Sequence, residues 1–461
     1  MINTISPIDG TIYFTAEEHG PKDIEQALHQ AKSAFPLWSN LSITERAKFI
    51  TAFVEAIVED KNDIALEITW QMGRPLGQSP GEIKGFADRA HYMIGIAEEA
   101  LGDYKVVDAA NLDKRWVERI PIGVVSVLSP WNYPFLTSVN AIVPALMAGN
   151  VVILKHSFQT PLVAERYAKA AAKAGLPKGV FQILHLNHKN TAQLIGDNRI
   201  DGVYFTGSVQ GGVAVQNSLT NKFIPCGLEL GGKDPAYVMA DANLENSVEN
   251  LVDGAFFNSG QSCCGIERIY VHETLYDKFV DGFVALTKQY KLGNPLDAET
   301  NLGPMVKTDA ANYVRKQIEQ ALGKGAKSLV AESLFAASKK DTPYLSPHVL
   351  VNVDHSMEVM TEESFGPVVG IMKVKNDEEA LRLMNDSQYG LTASLWANDM
   401  DRAIDLGRKI ETGTVFMNRC DYLDPALAWT GVKNSGKGVT LSKMGYDHVT
   451  RVKSFNFRKG K

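Results

Sequence analysis

Four cysteines in 461 residues are too few for a disulfide framework. Two of them, Cys263 and Cys264, are neighbours, and neighbours rarely bridge because the ring is strained. There is no Cys-x-x-Cys pair and no His-Glu-x-x-His helix, so nothing suggests a metal site. Long apolar runs are also missing. Val124–Leu128 and Val151–Leu154 are far too short to span a bilayer, and Met1 to Phe14 lacks a basic leader before an apolar core. No basic block or basic stripe interleaved with aromatics occurs, and the net charge of −6 is scattered along the chain, which argues against a nucleic-acid partner. These absences leave the expectation of a reduced, metal-free, cytoplasmic protein that binds neither membrane nor nucleic acid.

The apolar content of 45% is ample for a core. The length exceeds the roughly 250–300 residues at which one core stops growing, so two substantial domains are expected. The first hundred residues read as mainly helical, with a capping box at Ser42-Ile-Thr-Glu45 and a stop at Gly73-Arg-Pro75. From about residue 120 the rhythm changes. Val124–Leu128, Val151–Leu154, Val180–Leu184 and Val203–Phe205 are strand candidates, and Pro161–Ala174 is a candidate crossover helix, the alternation of βαβ units and a parallel sheet. A second alternating section runs from about 233 to 415, with strands at Ala236–Met239, Arg268–Val271 and Val368–Val374 and a helix over Leu275–Tyr290. Thr450–Phe457 alternates like an exposed strand or a frayed tail.

Several segments have residues able to carry chemistry. Phe205-Thr-Gly-Ser208, with Gly212 beyond it, ends a strand and could bring backbone N–H groups to a phosphate, although the Gly-x-Gly-x-x-Gly fingerprint is absent. Lys155 follows the buried run Val151–Leu154, at the strand end where α/β sheets bind ligands. Gly260-Gln-Ser-Cys-Cys264 offers a thiol among small neighbours. Glu229 sits beside two glycines, as a general base might require. Pro130-Trp-Asn-Tyr-Pro134 could hold the Asn132 amide rigidly toward an oxyanion. Taken singly, each segment has a plain structural explanation: a glycine turn, a surface lysine, an inert buried cysteine, a linker glutamate, a rigid turn.

Together they resemble the aldehyde dehydrogenase superfamily, from about residue 4 to 457. The resemblance rests on Pro130-Trp-Asn-Tyr-Pro134, Gly149 to Lys155, Phe205-Thr-Gly-Ser208, Glu229-Leu-Gly-Gly-Lys233, Gly260-Gln-Ser-Cys263, Glu363-Ser-Phe-Gly-Pro367, Asn385 to Leu391 and Gly431 to Gly436. Cys263 lies 34 residues after Glu229, the separation typical of hydrolytic members. The resemblance implies an α/β fold with a Rossmann-like cofactor domain (1–104 and 122–228), an α/β catalytic domain (229–446) and a small β bridging extension (105–121 and 447–461) that builds a homodimer or homotetramer. It implies Cys263 as nucleophile, Glu229 as base, and Asn132 with the Cys263 N–H as oxyanion hole. Lys155 and Glu363 would hold the riboses of NAD or NADP, with Gly207, Ser208 and Gly212 under the pyrophosphate and Phe365 and Trp131 near the nicotinamide. The implied reaction oxidises a small-molecule aldehyde to the acid through a thioester on Cys263. The alternatives are a CoA-acylating enzyme and a catalytically silent binding protein of the same fold.

The sequence departs from the family pattern at several positions. Phe158 stands where many NAD-preferring members carry a ribose-binding glutamate, and Ala141 where many carry a lysine proposed for proton relay. Gly438-Val-Thr-Leu441 replaces Gly-Arg-Glu-Leu, which puts more of the base work on Glu229. Asn140 replaces the arginine often found in members acting on succinic semialdehyde, which argues against a dicarboxylate semialdehyde. Arg419 and Asp421 lie in the expected substrate-tunnel loop and either tune selectivity or pair with each other.

Overall fold

A computed structural model describes residues 1–106 and 113–458. Residues 107–112 and 459–461, which belong to the expected bridging extension, lie outside the described residues. The N-terminal hundred residues fold as four helices, Pro21–Ser39, Ile43–Glu59, Lys61–Met72 and Pro80–Leu101, behind a hairpin of Ile2–Ile5 with Ile12–Ala16. The helix Ile43–Glu59 starts on the expected capping box: Ser42 accepts from Glu45 N–H and Glu45 reaches back to Ser42 N–H. The helix Lys61–Met72 ends where Gly73 turns left-handed at φ 84°.

Two sheets follow. The first runs Gly436–Lys437, Cys226–Glu229, Gly202–Thr206, Val124–Leu128, Val151–Lys155, Phe181–Ile183, and all its pairings are parallel except that of Gly436–Lys437. Its order reverses between Val124–Leu128 and Gly202–Thr206, so a crevice opens beyond their carboxyl ends, the place where open α/β sheets bind ligands. Val124–Leu128 is buried along its whole length, as expected of a strand covered by helices on both faces.

The second sheet runs Lys327–Ser328, His348–Val351, Val368–Val374, Ile266–His272, Asp234–Val238, Thr392–Trp396, Thr414–Met417, and only Lys327–Ser328 is antiparallel. Side chains alternate between its faces: Tyr237 and Met239 enter one core cluster, Ala236 and Val238 the other. The chain from Gly436 onward returns to the first sheet. Gly436–Lys437 pairs with Cys226–Glu229, and Leu441, Tyr446 and Val449 join the core under that sheet. A boundary at 446 therefore cuts through a packed segment.

Thr450–Arg458 forms a three-stranded sheet with Asp113–Pro121 and Tyr104–Lys105 and occupies its outer edge. Trp116 stacks on Phe455 at 4.5 Å between ring centroids, which ties this strand pair together. No helix among the described residues is long and apolar enough to cross a membrane.

Candidate active site

Cys263 is delivered by a loop of unusual backbone. The helix Leu244–Phe256 stops, and Asn258, Ser259 and Gly260 take φ of 52°, 56° and 70° in succession. Left-handed asparagine and serine cost energy, so the surroundings must hold them. The Asn258 amide donates to the Asn132 carbonyl at 3.3 Å, Ser259 donates to the Gly303 carbonyl at 2.8 Å, and a Cβ on Gly260 would meet the Gly366 carbonyl oxygen at 2.3 Å. Next to it, a Cβ on Gly232 would lie 2.5 Å from the Cys263 carbonyl oxygen, so the Glu229-Leu-Gly-Gly segment must be bare there.

A cavity of about 370 Å³ contains Cys263 and Glu229 together, with Tyr133, Asn140, Asp421 and Trp429 among its walls. Glu229 is the last residue of the strand Cys226–Glu229, not part of a linker. Its carboxyl accepts from Thr440 Oγ1 at 2.5 Å and Thr206 Oγ1 at 3.2 Å. Burial raises its pKa above the ordinary carboxylate range, while the two threonines and the positive charge of Arg89 pull it back. Thr440 is a site residue that the sequence did not suggest: it comes from the Gly438-Val-Thr-Leu441 departure and reaches across 211 residues. The Cys263 thiol is pushed well above the ordinary cysteine range by its hydrogen bond with Cys264, then by burial and by the charges of Asp234 and Glu229. A thiol in that state needs a base beside it to become nucleophilic.

Asn132 is buried at 4% exposure and does not line this cavity. One amide hydrogen goes to the Gln261 carbonyl at 3.2 Å, which leaves the second for a ligand. Its position is fixed by Arg74, another residue without a sequence signal. The Arg74 guanidinium donates to the Asn132 carbonyl, to Asn258 Oδ1 at 3.2 Å and to Glu82 Oε2 at 2.6 Å. Glu82 in turn accepts the Phe135 and Leu136 N–H groups, both at 2.9 Å, and so caps the helix Pro134–Met147. The Cys263 N–H has no acceptor among the described residues, as an oxyanion donor requires.

On the other side of the nucleophile loop a crevice is lined by Trp131, Ser208, Gln261, Glu363, Phe365 and Tyr389. Gln261 faces this crevice while Ser262 and Cys263 face the cavity, so the loop is the wall between them. Phe365 (φ 52°) meets Trp131 edge-to-face at 5.6 Å, and its N–H donates to Glu267, as does that of Ser364, both at 2.8 Å. Glu267 is itself paired with buried Lys233. Glu363 accepts from the Gly232 N–H at 3.0 Å, and burial together with the Glu267 charge lifts its carboxyl to about 8.

Ser208 caps the helix Val209–Ser218 by accepting from Gly211 N–H at 3.1 Å. Gly207 and Gly211 are bare because a Cβ on either would lie 2.5 or 2.6 Å from the Phe205 ring. Gly212 is bare for a different neighbour, Leu230, and the N–H groups of all three glycines are committed: Gly207 donates to the Glu229 carbonyl at 3.0 Å, Gly211 to Ser208 Oγ and Gly212 to the Ser208 carbonyl. Lys155 ends its strand with no anionic partner among the described residues, and burial draws its pKa down to about 8. The Phe158 ring centroid lies 5.1 Å from its ammonium. Arg419 and Asp421 form no ion pair: the guanidinium lies over the Tyr422 ring at 3.7 Å.

Residues 1–455 match the family model described as the aldehyde dehydrogenase family. The chain belongs to the aldehyde dehydrogenase family. It is 34% identical over 460 residues to an aldehyde dehydrogenase of Paenarthrobacter nicotinovorans, covering 98% of this chain and 99% of the relative. It is 33% identical to the succinate semialdehyde dehydrogenase [NAD(P)+] of Escherichia coli, covering 98% and 96%. The crystal structure of succinic semialdehyde dehydrogenase from Streptococcus pyogenes with NADP+ superimposes with a TM-score of 0.94 at 27% identity, and the match covers 100% of both chains. The enzyme is an oxidoreductase of aldehydes with the mixed α/β architecture of that family, its parallel sheets included.

Proposed function

We propose that the enzyme oxidises an aldehyde to its carboxylic acid with NAD or NADP, through a thioester on Cys263 that water hydrolyses. The observation that carries this reading is the shared cavity of Cys263 and Glu229, in which Glu229 is a buried carboxylate clamped by two threonine hydroxyls. Glu229 takes the thiol proton, and the thiolate adds to the aldehyde carbon. The oxyanion of the thiohemiacetal is assigned to the Asn132 amide and the Cys263 N–H; one Asn132 amide hydrogen and the Cys263 N–H have no acceptor among the described residues, which supports this reading. Departure of the hydride leaves a thioester; Glu229, once it has released the thiol proton to solvent, deprotonates the water that attacks it, and the tetrahedral adduct collapses to the acid with the Cys263 thiolate as leaving group. The presence of Glu229 favours water over CoA as acyl acceptor, and intact Cys263 and Glu229 favour an enzyme over a silent relative.

The crevice fits a dinucleotide. Lys155 supplies a cation with no anionic partner among the described residues, the start of the helix Val209–Ser218 lines the crevice with Ser208, Val209 and Gln210 and can meet a phosphate there, and Glu363 offers a carboxyl for a ribose hydroxyl. When bound, the nicotinamide accepts the hydride. Trp131 and Phe365 brace the loop on which Glu363 sits. Phe158 removes the carboxylate that would repel a 2′-phosphate, so NADP is admitted beside NAD.

The edge strand Thr450–Arg458, with Val452 and Phe457 exposed, supports pairing with a second copy in a homodimer or homotetramer. The four free cysteines support a cytoplasmic location. The test is aldehyde-dependent reduction of NAD+ and NADP+, with digestion of enzyme quenched in turnover. An acyl group on Cys264, or none on Cys263, counts against the mechanism.

A further inference from the structure

Among the charged groups lining the aldehyde cavity that the reaction does not use, one is a buried cation without an anionic partner among the described residues: Arg89. Arg89 lies on the helix Pro80–Leu101, on the same face as Glu82 and Gly85 by their spacing of seven and four residues. Gly85 is bare at the contact: a Cβ there would sit 2.6 Å from a Leu136 methyl. This lets the helix Pro134–Met147 approach closely, and Arg89 Nη1 donates to the Leu136 carbonyl and, at 3.3 Å, to Asn140 Oδ1.

Neither partner is an anion. Arg89 is only 9% exposed, lines the cavity, and forms no ion pair with any carboxylate among the described residues. Glu82, on its own face, is committed to Arg74 and to two helix N–H groups. Guanidinium does not shed its proton, and a buried charge without a partner is costly. Two of the five donors are used, which leaves three for a ligand.

Acidic residues also line this cavity, but they sit differently. Asp88 is exposed, so water screens it, and burial lifts the carboxyls of Asp253, Glu229 and Asp421 toward their neutral forms, Asp421 to about 7. A fixed charge in the dry part of the cavity acts more strongly than hydrated charges at its mouth.

We propose that Arg89 binds the distal carboxylate of the substrate, making the enzyme selective for short aldehydes that carry an acid at the far end. The inference rests on the assignment of this cavity to the aldehyde. It also changes the meaning of Asn140, which from sequence argued against such a substrate. The arginine missing at position 140 is supplied from the neighbouring helix, and Asn140 is the acceptor that holds it. Arg89 is then a specificity-determining residue that leaves the chemical step to Cys263 and Glu229.

The test uses three aldehydes of one chain length: succinic semialdehyde, butanal and 4-aminobutanal. Wild-type enzyme is expected to favour succinic semialdehyde over butanal in kcat/KM by about 100-fold, in line with a charge-assisted, bidentate contact. Arg89→Met collapses that ratio toward one, mostly through KM, and Arg89→Lys restores part of it. The ratio matters because Arg89 also acts electrostatically on Glu229, an effect common to all substrates that cancels between them. A wild-type preference for butanal or 4-aminobutanal overturns the proposal, as does an equal loss on all three in Arg89→Met. The wild-type enzyme gives a second check that needs no variant. Butyrate competes with butanal more strongly than butan-1-ol does, and equal competition overturns the proposal. If wild-type enzyme oxidises none of the three, the assignment of the cavity to an aldehyde fails, and the role of Arg89 with it. Oxidation without a carboxylate preference overturns the role of Arg89 alone.

Discussion

On the side of Cys263 proposed for the cofactor, the residues assigned to it sit at strand ends and on the short loops beyond them: Lys155, Gly207, Ser208, and the Glu363–Phe365 loop held by Glu267. In the cavity proposed for the substrate, the lining side chains project from helix faces and from a late loop: Arg89, Asn140, Asp421 and Trp429. The first arrangement depends mainly on backbone, with N–H groups, bare glycines and a helix start that many sequences could supply. The second depends on which side chains happen to meet, so it can differ between relatives while the cofactor side stays the same. The nucleophile loop, with its run of left-handed residues, belongs to both sides. Changes on one side should therefore disturb one partner's binding, and changes in the wall between them should disturb chemistry.

The largest effect is expected at that wall. Cys263→Ala removes the proposed nucleophile and should lower aldehyde turnover by about 10⁴-fold or more, with cofactor binding still measurable by fluorescence titration. Retained turnover would mean that Cys264 or water performs the attack. Next comes Glu229→Gln. Loss of a general base typically costs about 10²–10⁴-fold, and here it should slow thioester hydrolysis so that an acyl adduct on Cys263 builds up in intact-mass spectra. Deacylation at the wild-type rate in that variant would require another base.

The contrast between the two sides also explains what could be read from sequence. Strand runs such as Val124–Leu128 were legible because burial on both faces demands unbroken apolar residues. The pairing of Glu229 with Cys263 in one cavity was foreshadowed only by the family resemblance, since each residue taken singly had a plain structural reading. Arg74 and Thr440 were not. Arg74 meets Asn132 across 58 residues and Thr440 meets Glu229 across 211, and neither contact leaves a local pattern. Gly212 was legible as a required glycine but not for its reason, because its contact with Leu230 exists only in the folded chain. The hairpin of Ile2–Ile5 with Ile12–Ala16 was hidden within a stretch whose overall character is helical.

Arg74→Met tests whether the brace behind Asn132 matters to the wall. Both Arg74 and Glu82 are almost fully buried, and removing one member of a buried pair costs about 3–5 kcal/mol. Denaturant melts should show that loss, with a fall in kcat as Asn132 loses its anchor. Unchanged stability would mean that water enters and hydrates Glu82. A smaller effect is expected from Thr440→Val. A hydrogen bond to a charged group contributes about 1.5–3 kcal/mol, so losing the Thr440 contact should raise the Glu229 pKa by about one to two units. Glu229 works ionised, so the rising limb of the pH–deacylation profile should move upward by the same amount while the plateau holds. A profile that stays in place would leave Thr206 as the hydroxyl that matters.

The mildest prediction concerns the cofactor side alone. Burial draws Lys155 down to about 8. A lysine is charged below its pKa and neutral above it, so the cation that meets the anionic cofactor is fully present below about pH 7 and is lost as pH rises past 8. The KM for cofactor should be flat at low pH and climb above about pH 8, by at most tenfold per unit, with KM for the aldehyde following a separate curve. Cofactor binding itself favours the charged form, so the break should shift upward in the complex. Lys155→Arg should remove the break, because a guanidinium keeps its charge throughout that range. If the aldehyde KM breaks at the same pH and Lys155→Arg abolishes both breaks, the two sides of Cys263 are not independent, and the nucleophile loop transmits charge as well as separating the sites.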